Sequence, residues 1–167
     1  MATAGEARGR LLEELADVSR RYMASYALFN QALADHVGLH PTDVQCVNLL
    51  SLEDGPVTTG RIAEMTGLTT GSATRLVDRL EKAGYVVRER DVVDRRRVLV
   101  VTVPEKIAEF GRMWERLGAG WYGLFDGLDE DGIALIIGHM RRTVDLSAEQ
   151  VARLRSGDLQ DASDEAS

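Results

Sequence analysis

Between residues 107 and 128 the apolar residues Ile107, Phe110, Trp114, Leu117, Trp121, Leu124 and Leu128 recur at steps of three and four without a break. That is the period of one face of an α-helix, and a seam this regular requires a facing helix. The first 37 residues show the same spacing in Leu11, Leu15, Val18, Tyr22, Tyr26, Phe29, Leu33 and Val37. A final helical stretch, from about Asp131 to Arg155, places Ile133, Ile137, Met140, Val144, Val151 and Leu154 on its apolar face. A chain with such seams near both ends is committed to a mainly α fold. Gly111, Gly118, Gly120 and Gly123 each weaken their helix by roughly 1 kcal/mol relative to alanine, which predicts close packing or local distortion there.

The middle of the chain is punctuated more tightly. Gly38 and Pro41 end the first helix and start a second, predicted from about Pro41 to Leu52, because glycine suits a C-cap and proline a first turn. The turn signal EDGP at 53–56 follows. Thr58 or Thr59 caps a short third helix to about Met65, Gly67 stops it, and Thr69 caps a fourth that runs to Gly84. Ala73, Leu76, Val77, Leu80 and Ala83 form the buried stripe of that helix and leave Thr70, Ser72, Thr74, Arg75, Asp78, Arg79 and Lys82 off it. From Tyr85 the period changes: YVVRER and RVLVVTV are rich in β-branched residues and flank DVVD, which predicts a two-stranded antiparallel ribbon.

Charge is unevenly placed. The chain has a formal net charge of −7, which argues against a generic nucleic-acid coat, but distribution matters more than the sum. Between Thr69 and Val103 eight basic residues (Arg75, Arg79, Lys82, Arg88, Arg90, Arg95, Arg96, Arg97) face five acidic ones (Asp78, Glu81, Glu89, Asp91, Asp94). One segment is electropositive against an acidic background. With 167 residues and 44% hydrophobic content the chain has material for one core plus helical extensions used for pairing. No apolar run approaches the length of a membrane span, and the N-terminus is charged throughout, so a cytoplasmic protein with no membrane partner is expected.

Other chemistries find little support. Cys46, the one cysteine, sits among Val44, Val47 and Leu50, a setting for an inert core thiol rather than a redox sensor. His36 and His40 have the i, i+4 spacing of a metal pair, but Gly38 and Pro41 break the helix that such spacing needs. We expect no metal, no cofactor and no catalytic residue, since no nucleophile with its base, no metal cluster and no phosphate loop is visible.

Two short helices joined at Gly67 and followed by a basic ribbon read as a winged helix-turn-helix. A major groove about 12 Å wide admits one helix, and a ribbon can reach the adjacent minor groove, whose negative potential attracts arginine. The run LTTGSATRLVDRLEKAGYVVRERDVVDRRRVLV resembles the recognition helix and wing of MarR-family transcriptional regulators, and GLHPTDVQCVNLLSLEDGPVTTGRIAEMTG resembles the helices that precede them. The resemblance covers about residues 35–103; its strongest element is the TRLVDRLEKAG helix followed at wing distance by Asp94, Arg95 and Arg96. Where the family often closes the second wing strand with Leu-Thr, this chain has Thr102-Val103 and turns straight into Pro104, which leaves the start of the fifth helix open.

The resemblance implies a homodimeric repressor on a pseudo-palindromic operator in double-stranded DNA, released by a small-molecule effector. It divides the chain into an N-terminal dimerisation helix (8–37), a winged helix-turn-helix (38–103), C-terminal dimerisation helices (104–155) and a disordered acidic tail (156–167). Thr74 and Arg75 would face the major groove with Thr70 and Ser72 nearby. Arg79 and Arg95 are further DNA candidates, and Arg96 would enter the minor groove, oriented by Asp94. Tyr22, Tyr26 and Phe29 are candidates for an effector pocket, against the plainer reading that such aromatics are dimer core. Arg75 and Arg79 also have a plainer reading, as surface ion pairs with Asp78 or Glu81. The alternative function is a winged-helix protein-interaction module that does not read DNA.

Overall fold

The structure is a computed structural model that describes residues 4–157; the expected acidic tail lies, from residue 158 on, outside the described residues. Among the described residues six helices and three short strands follow in the order α1 (Ala4–Val37), α2 (Pro41–Leu50), β1 (Val57–Thr58), α3 (Thr59–Thr66), α4 (Thr70–Lys82), β2 (Val86–Arg90), β3 (Val98–Thr102), α5 (Pro104–Gly123) and α6 (Glu130–Ser156). The fold is mainly α with a small antiparallel sheet that forms the wing of a winged helix-turn-helix. It separates into two compact units, divided between Arg112 and Met113.

In the first unit the helix ends are set by local chemistry. At the end of α1, Gly38 takes φ +69° and the Leu39 N–H donates to the Ala34 carbonyl at 2.9 Å; α4 ends the same way, with Gly84 at φ +79° and the Tyr85 N–H on the Leu80 carbonyl at 2.9 Å. Both are six-to-one closures in which the left-handed residue is glycine because no Cβ has to be accommodated. Thr58 and Thr69 accept from the amides of Arg61 and Ser72 as N-caps of α3 and α4. Gly67, at φ +71°, makes the turn between these helices. The cap of α2 is His40, whose ring Nδ1 accepts from the Thr42 amide at 3.3 Å.

The core of this unit gathers Leu33 and Ala34 from α1, Val44, Cys46, Val47 and Leu50 from α2, Ile62 from α3, and Ala73, Leu76, Val77 and Leu80 from α4, closed by Val57, Val86 and Val100 of the sheet. Tyr85 and Phe110 meet edge to face, their ring centroids 6.2 Å apart. The predicted ribbon is present, with Arg88 opposite Val100 and Val86 opposite Thr102. A third strand joins it: Val57 pairs with Val100, so the sheet order is β1-β3-β2. Two residues carry no alternation to read, and only the neighbouring β3 makes them a strand. Pro104 occupies the first turn of α5, with the Ile107 amide bonded to the Val103 carbonyl at 3.1 Å, so the departure after Thr102 leaves a regular helix start.

In the second unit the seam predicted to reach Leu128 leaves the helix early. α5 ends at Gly123 and residues 124–127 turn, the Leu128 amide reaching the Phe125 carbonyl at 2.9 Å. The glycines crowded before that point make the last turns the weakest of the helix. Asp129 then caps α6 by accepting from the Gly132 amide at 2.9 Å. No residue of α6 is buried. Among the described residues no helix is long and apolar enough to cross a membrane.

Candidate nucleic-acid interface

Helix α4 turns one face inward and offers the other. Ala73, Leu76, Val77 and Leu80 are fully buried, and Thr70, Thr74, Arg75, Asp78 and Arg79 are exposed, with Ser72 half-buried. Short hydrogen bonds order the start of the exposed face. Thr69 Oγ1 donates to Ser72 Oγ at 3.1 Å and Arg75 Nη2 donates to the same oxygen at 3.2 Å, while Thr74 Oγ1 donates to the Thr70 carbonyl at 2.9 Å. Thr70, Ser72, Thr74 and Arg75 thus come together at the N-terminal end of α4, where unpaired helix amides also favour an anion.

Arg79 is held differently. Its Nε and Nη2 donate to Asp43 of α2 at 2.8 and 2.5 Å, a bidentate pair between a carboxylate with 1% of its side chain exposed and a guanidinium with 47%. The hydrogen bond to Asp43 pushes Arg79 above the ordinary arginine value. Fork-to-fork geometry of this kind fixes orientation as well as distance, so it couples the second half of α4 to α2. The surface pairs with Asp78 or Glu81 do not form. Those two acids instead hold Arg88 of β2, Asp78 at 2.7 Å and Glu81 through both the Arg88 guanidinium and its backbone amide, fastening wing to helix. Sequence reasoning missed both clamps; neither Asp43 with Arg79, 36 positions apart, nor Asp78 with Arg88 has a spacing that announces it.

The wing tip is closed by two aspartates. Asp91 Oδ1 accepts from the amides of Val93 at 2.8 Å and Asp94 at 3.3 Å, and those bonds, helped by Arg97, hold its carboxyl below the usual carboxylate range. Asp94 Oδ1 accepts from the Arg96 amide at 3.1 Å, so it shapes the backbone that carries Arg96. Arg97 pairs with Asp91 at 3.7 Å. Among the described residues the exposed side chains of Arg90, Arg95 and Arg96 have no ion-pair partner. The arginines of the basic segment therefore fall into two sets: Arg79, Arg88 and Arg97 are spent on carboxylates, and Arg75, Arg90, Arg95 and Arg96 are available to an external anion.

The remaining candidates lie elsewhere. Tyr22 and Tyr26 on α1 are 52% and 46% exposed and Phe29 is half-buried. Burial pushes the Cys46 thiol up to about 12, with the Asp43 charge adding to it.

The comparisons with known proteins agree with this geometry. The MarR family's sequence profile matches residues 37–97. An uncharacterized HTH-type transcriptional regulator of Bacillus subtilis (strain 168), YcgE, is 37% identical over 148 residues, covering 89% of this chain and 96% of the relative. The chain belongs to the MarR family. Among solved structures, a MarR-family protein from Bacillus stearothermophilus superposes with a TM-score of 0.65 at 20% identity, covering 83% of this chain and 96% of that one. AbfR of Staphylococcus epidermidis gives 0.62 at 20% identity over 88% and 99%; these two likenesses concern the fold. As a MarR-family member the protein is a DNA-binding transcriptional regulator, with α3 and α4 as its helix-turn-helix and the β2–β3 ribbon as its wing.

Proposed function

We propose that this MarR-family regulator is a homodimeric repressor of a pseudo-palindromic operator, with the helices of 8–37 and 104–155 as its pairing elements and 38–103 as its reading head. The observation that carries the reading is the division of the arginines in the basic segment: among the described residues, those left without a carboxylate are Arg75 at the start of α4 and Arg90, Arg95 and Arg96 at the wing. Thr70, Ser72, Thr74 and Arg75 meet base edges and phosphates in the major groove, where short hydroxyls and a guanidinium suit purine acceptors and phosphate oxygens. Arg95 and Arg96 meet the neighbouring minor groove, with Asp94 setting the backbone of Arg96. Arg79 serves from behind, holding α4 at its angle through Asp43.

Pairing is supported by the uncovered apolar residues of α1, among them Leu11, Leu15, Val18, Tyr22 and Tyr26, and of α6. Two such heads on a two-fold axis read half-sites one helical turn apart. A lipophilic effector seated against Tyr22, Tyr26 and Phe29 and favouring another head spacing would release the operator by shifting the population of conformations.

The test is to incubate the purified protein with fragmented DNA of its source genome and sequence what is retained at moderate salt. Recovery of a short pseudo-palindrome is expected. Failure to enrich any sequence, together with a shallow dependence of affinity on salt, would overturn the reading in favour of a protein-interaction module.

A further inference from the structure

The apex of the wing carries two valines that nothing among the described residues covers. Val92 and Val93 are 93% and 92% exposed. Scattered exposed apolar residues are ordinary, but turn positions usually take Gly, Asn, Asp, Pro or Ser for their backbone freedom or side-chain hydrogen bonds. Here two adjacent β-branched residues stand at the tip. The turn holds them out: besides the bonds that Asp91 and Asp94 accept, the Asp91 amide donates to the Arg97 carbonyl at 3.1 Å and the Arg97 amide to the Asp94 carbonyl at 2.9 Å. So braced, the loop keeps the valines from folding back on the sheet. Val92 also lines a hollow of about 320 Å³ with Arg90, Asp91 and Arg95, which sets an exposed apolar residue beside two basic ones at the apex.

We propose that Val92 and Val93 read the DNA minor groove, packing their methyl groups against its deoxyribose walls and an A·T-rich floor while Arg95 and Arg96 meet its phosphates. This rests on the DNA-binding reading above and adds a specificity element to it. Sugar walls are apolar and the groove is about 6 Å wide, so a narrow apolar tip loses water on both sides when it enters. An A·T floor carries only the acceptors of adenine N3 and thymine O2, whereas a G·C pair raises the guanine N2 amino group into the groove. That group would hold the methyls off and be covered without an acceptor of its own. Stiffness at χ1 means that valines lose little rotamer freedom on docking. They are shorter than the Phe, Leu, Ile or Met wedges that unstack base steps, so selectivity comes from the floor of the groove and the duplex stays stacked.

The test uses the duplex that the wild-type protein enriches from a randomised pool, remade with A·T, G·C or inosine·C pairs beneath the wing. Inosine lacks the N2 amino group, so I·C has the minor groove of A·T and the major groove of G·C. Wild-type protein is expected to bind the A·T and I·C duplexes alike and the G·C duplex on the order of tenfold more weakly. The Val92→Thr/Val93→Thr double variant keeps the shape and branching of both exposed side chains. It is expected to bind the A·T duplex several-fold more weakly and to lose most of the discrimination against G·C, with an unchanged slope of log affinity against log salt, because no phosphate contact is removed. Wild-type discrimination retained by the double variant would overturn the proposal and leave the groove to the arginines alone, as would a lowered salt slope. Should wild-type protein bind no duplex in a salt-dependent way, the DNA-binding reading itself falls, and that shows before any variant is made.

Discussion

Helices α4 and α6 are both amphipathic in sequence, and their fates differ. In α4, Ala73, Leu76, Val77 and Leu80 are fully buried within a helix of 13 residues. In α6, twice as long, no residue is buried, and Ile133, Leu135, Ile137, Met140, Val144, Leu146, Val151 and Leu154 stay exposed. The apolar stripe of α4 is answered by α2, α3 and the sheet of its own unit; among the described residues that of α6 buries none of its members. A contiguous exposed stripe is a surface for assembly. The winged helix-turn-helix buries its own apolar stripe, and the long helix offers one to the pairing proposed above.

The contrast can be broken most forcefully inside the head. Arg79→Ala leaves the Asp43 carboxylate buried and unpaired, and we expect a loss of about 3–5 kcal/mol in denaturant unfolding. Asp43→Asn leaves a guanidinium that is half in water, so its loss is distinctly smaller. Equal losses from the two variants would mean that the pair is no buried anchor. On α6 the expected effect appears in association rather than in the single chain. Val144→Glu should weaken self-association by on the order of a hundredfold, as a charge forced into an apolar contact does, while the unfolding of the head is unchanged. Sedimentation across a concentration series measures this, and an unaltered monomer–dimer balance would remove α6 from the interface.

Smaller effects sharpen the same division. Arg96→Ala, at an exposed side chain without a carboxylate, should weaken DNA binding by about 1–3 kcal/mol and flatten the salt slope by about one ion, with thermal stability unaltered. Titration at several salt concentrations reads both quantities; unchanged affinity would exclude Arg96 from the contact. Smallest is Cys46, whose thiol is pushed up from an ordinary 9.0 to about 12 in the fold. A raised acid of this kind contributes its stability in full below the unfolded value and loses it as pH rises from 9.0 toward 12. At neutral pH a thiol reagent should therefore label Cys46 only once the head unfolds. Rapid labelling of native protein would contradict the burial.

What could be read from the chain was local. Helix boundaries at Gly38, Gly67 and Gly84 and the cap at Thr69 follow from interactions within one turn of the backbone, which sequence spacing states directly; for α3 the spacing left Thr58 and Thr59 open, and the structure chooses Thr58. The α4 stripe followed from a period of 3.6, and the β2–β3 ribbon from two runs rich in β-branched residues on either side of DVVD. The strand at Val57–Thr58, the early end of α5 at Gly123, and the His40 cap were not legible, because two residues show no period, a seam does not say where its helix stops, and histidine caps helices less often than the short polar residues do. Above all, the chain could not show which arginines are spent. By composition Arg75, Arg79, Arg88, Arg96 and Arg97 are equivalent cations. Tertiary structure alone brings Asp43 to Arg79, Asp78 and Glu81 to Arg88, and leaves Arg75 and Arg96 to face outward, because a carboxylate's partner is chosen by distance in space, which one-dimensional spacing encodes only within a single element.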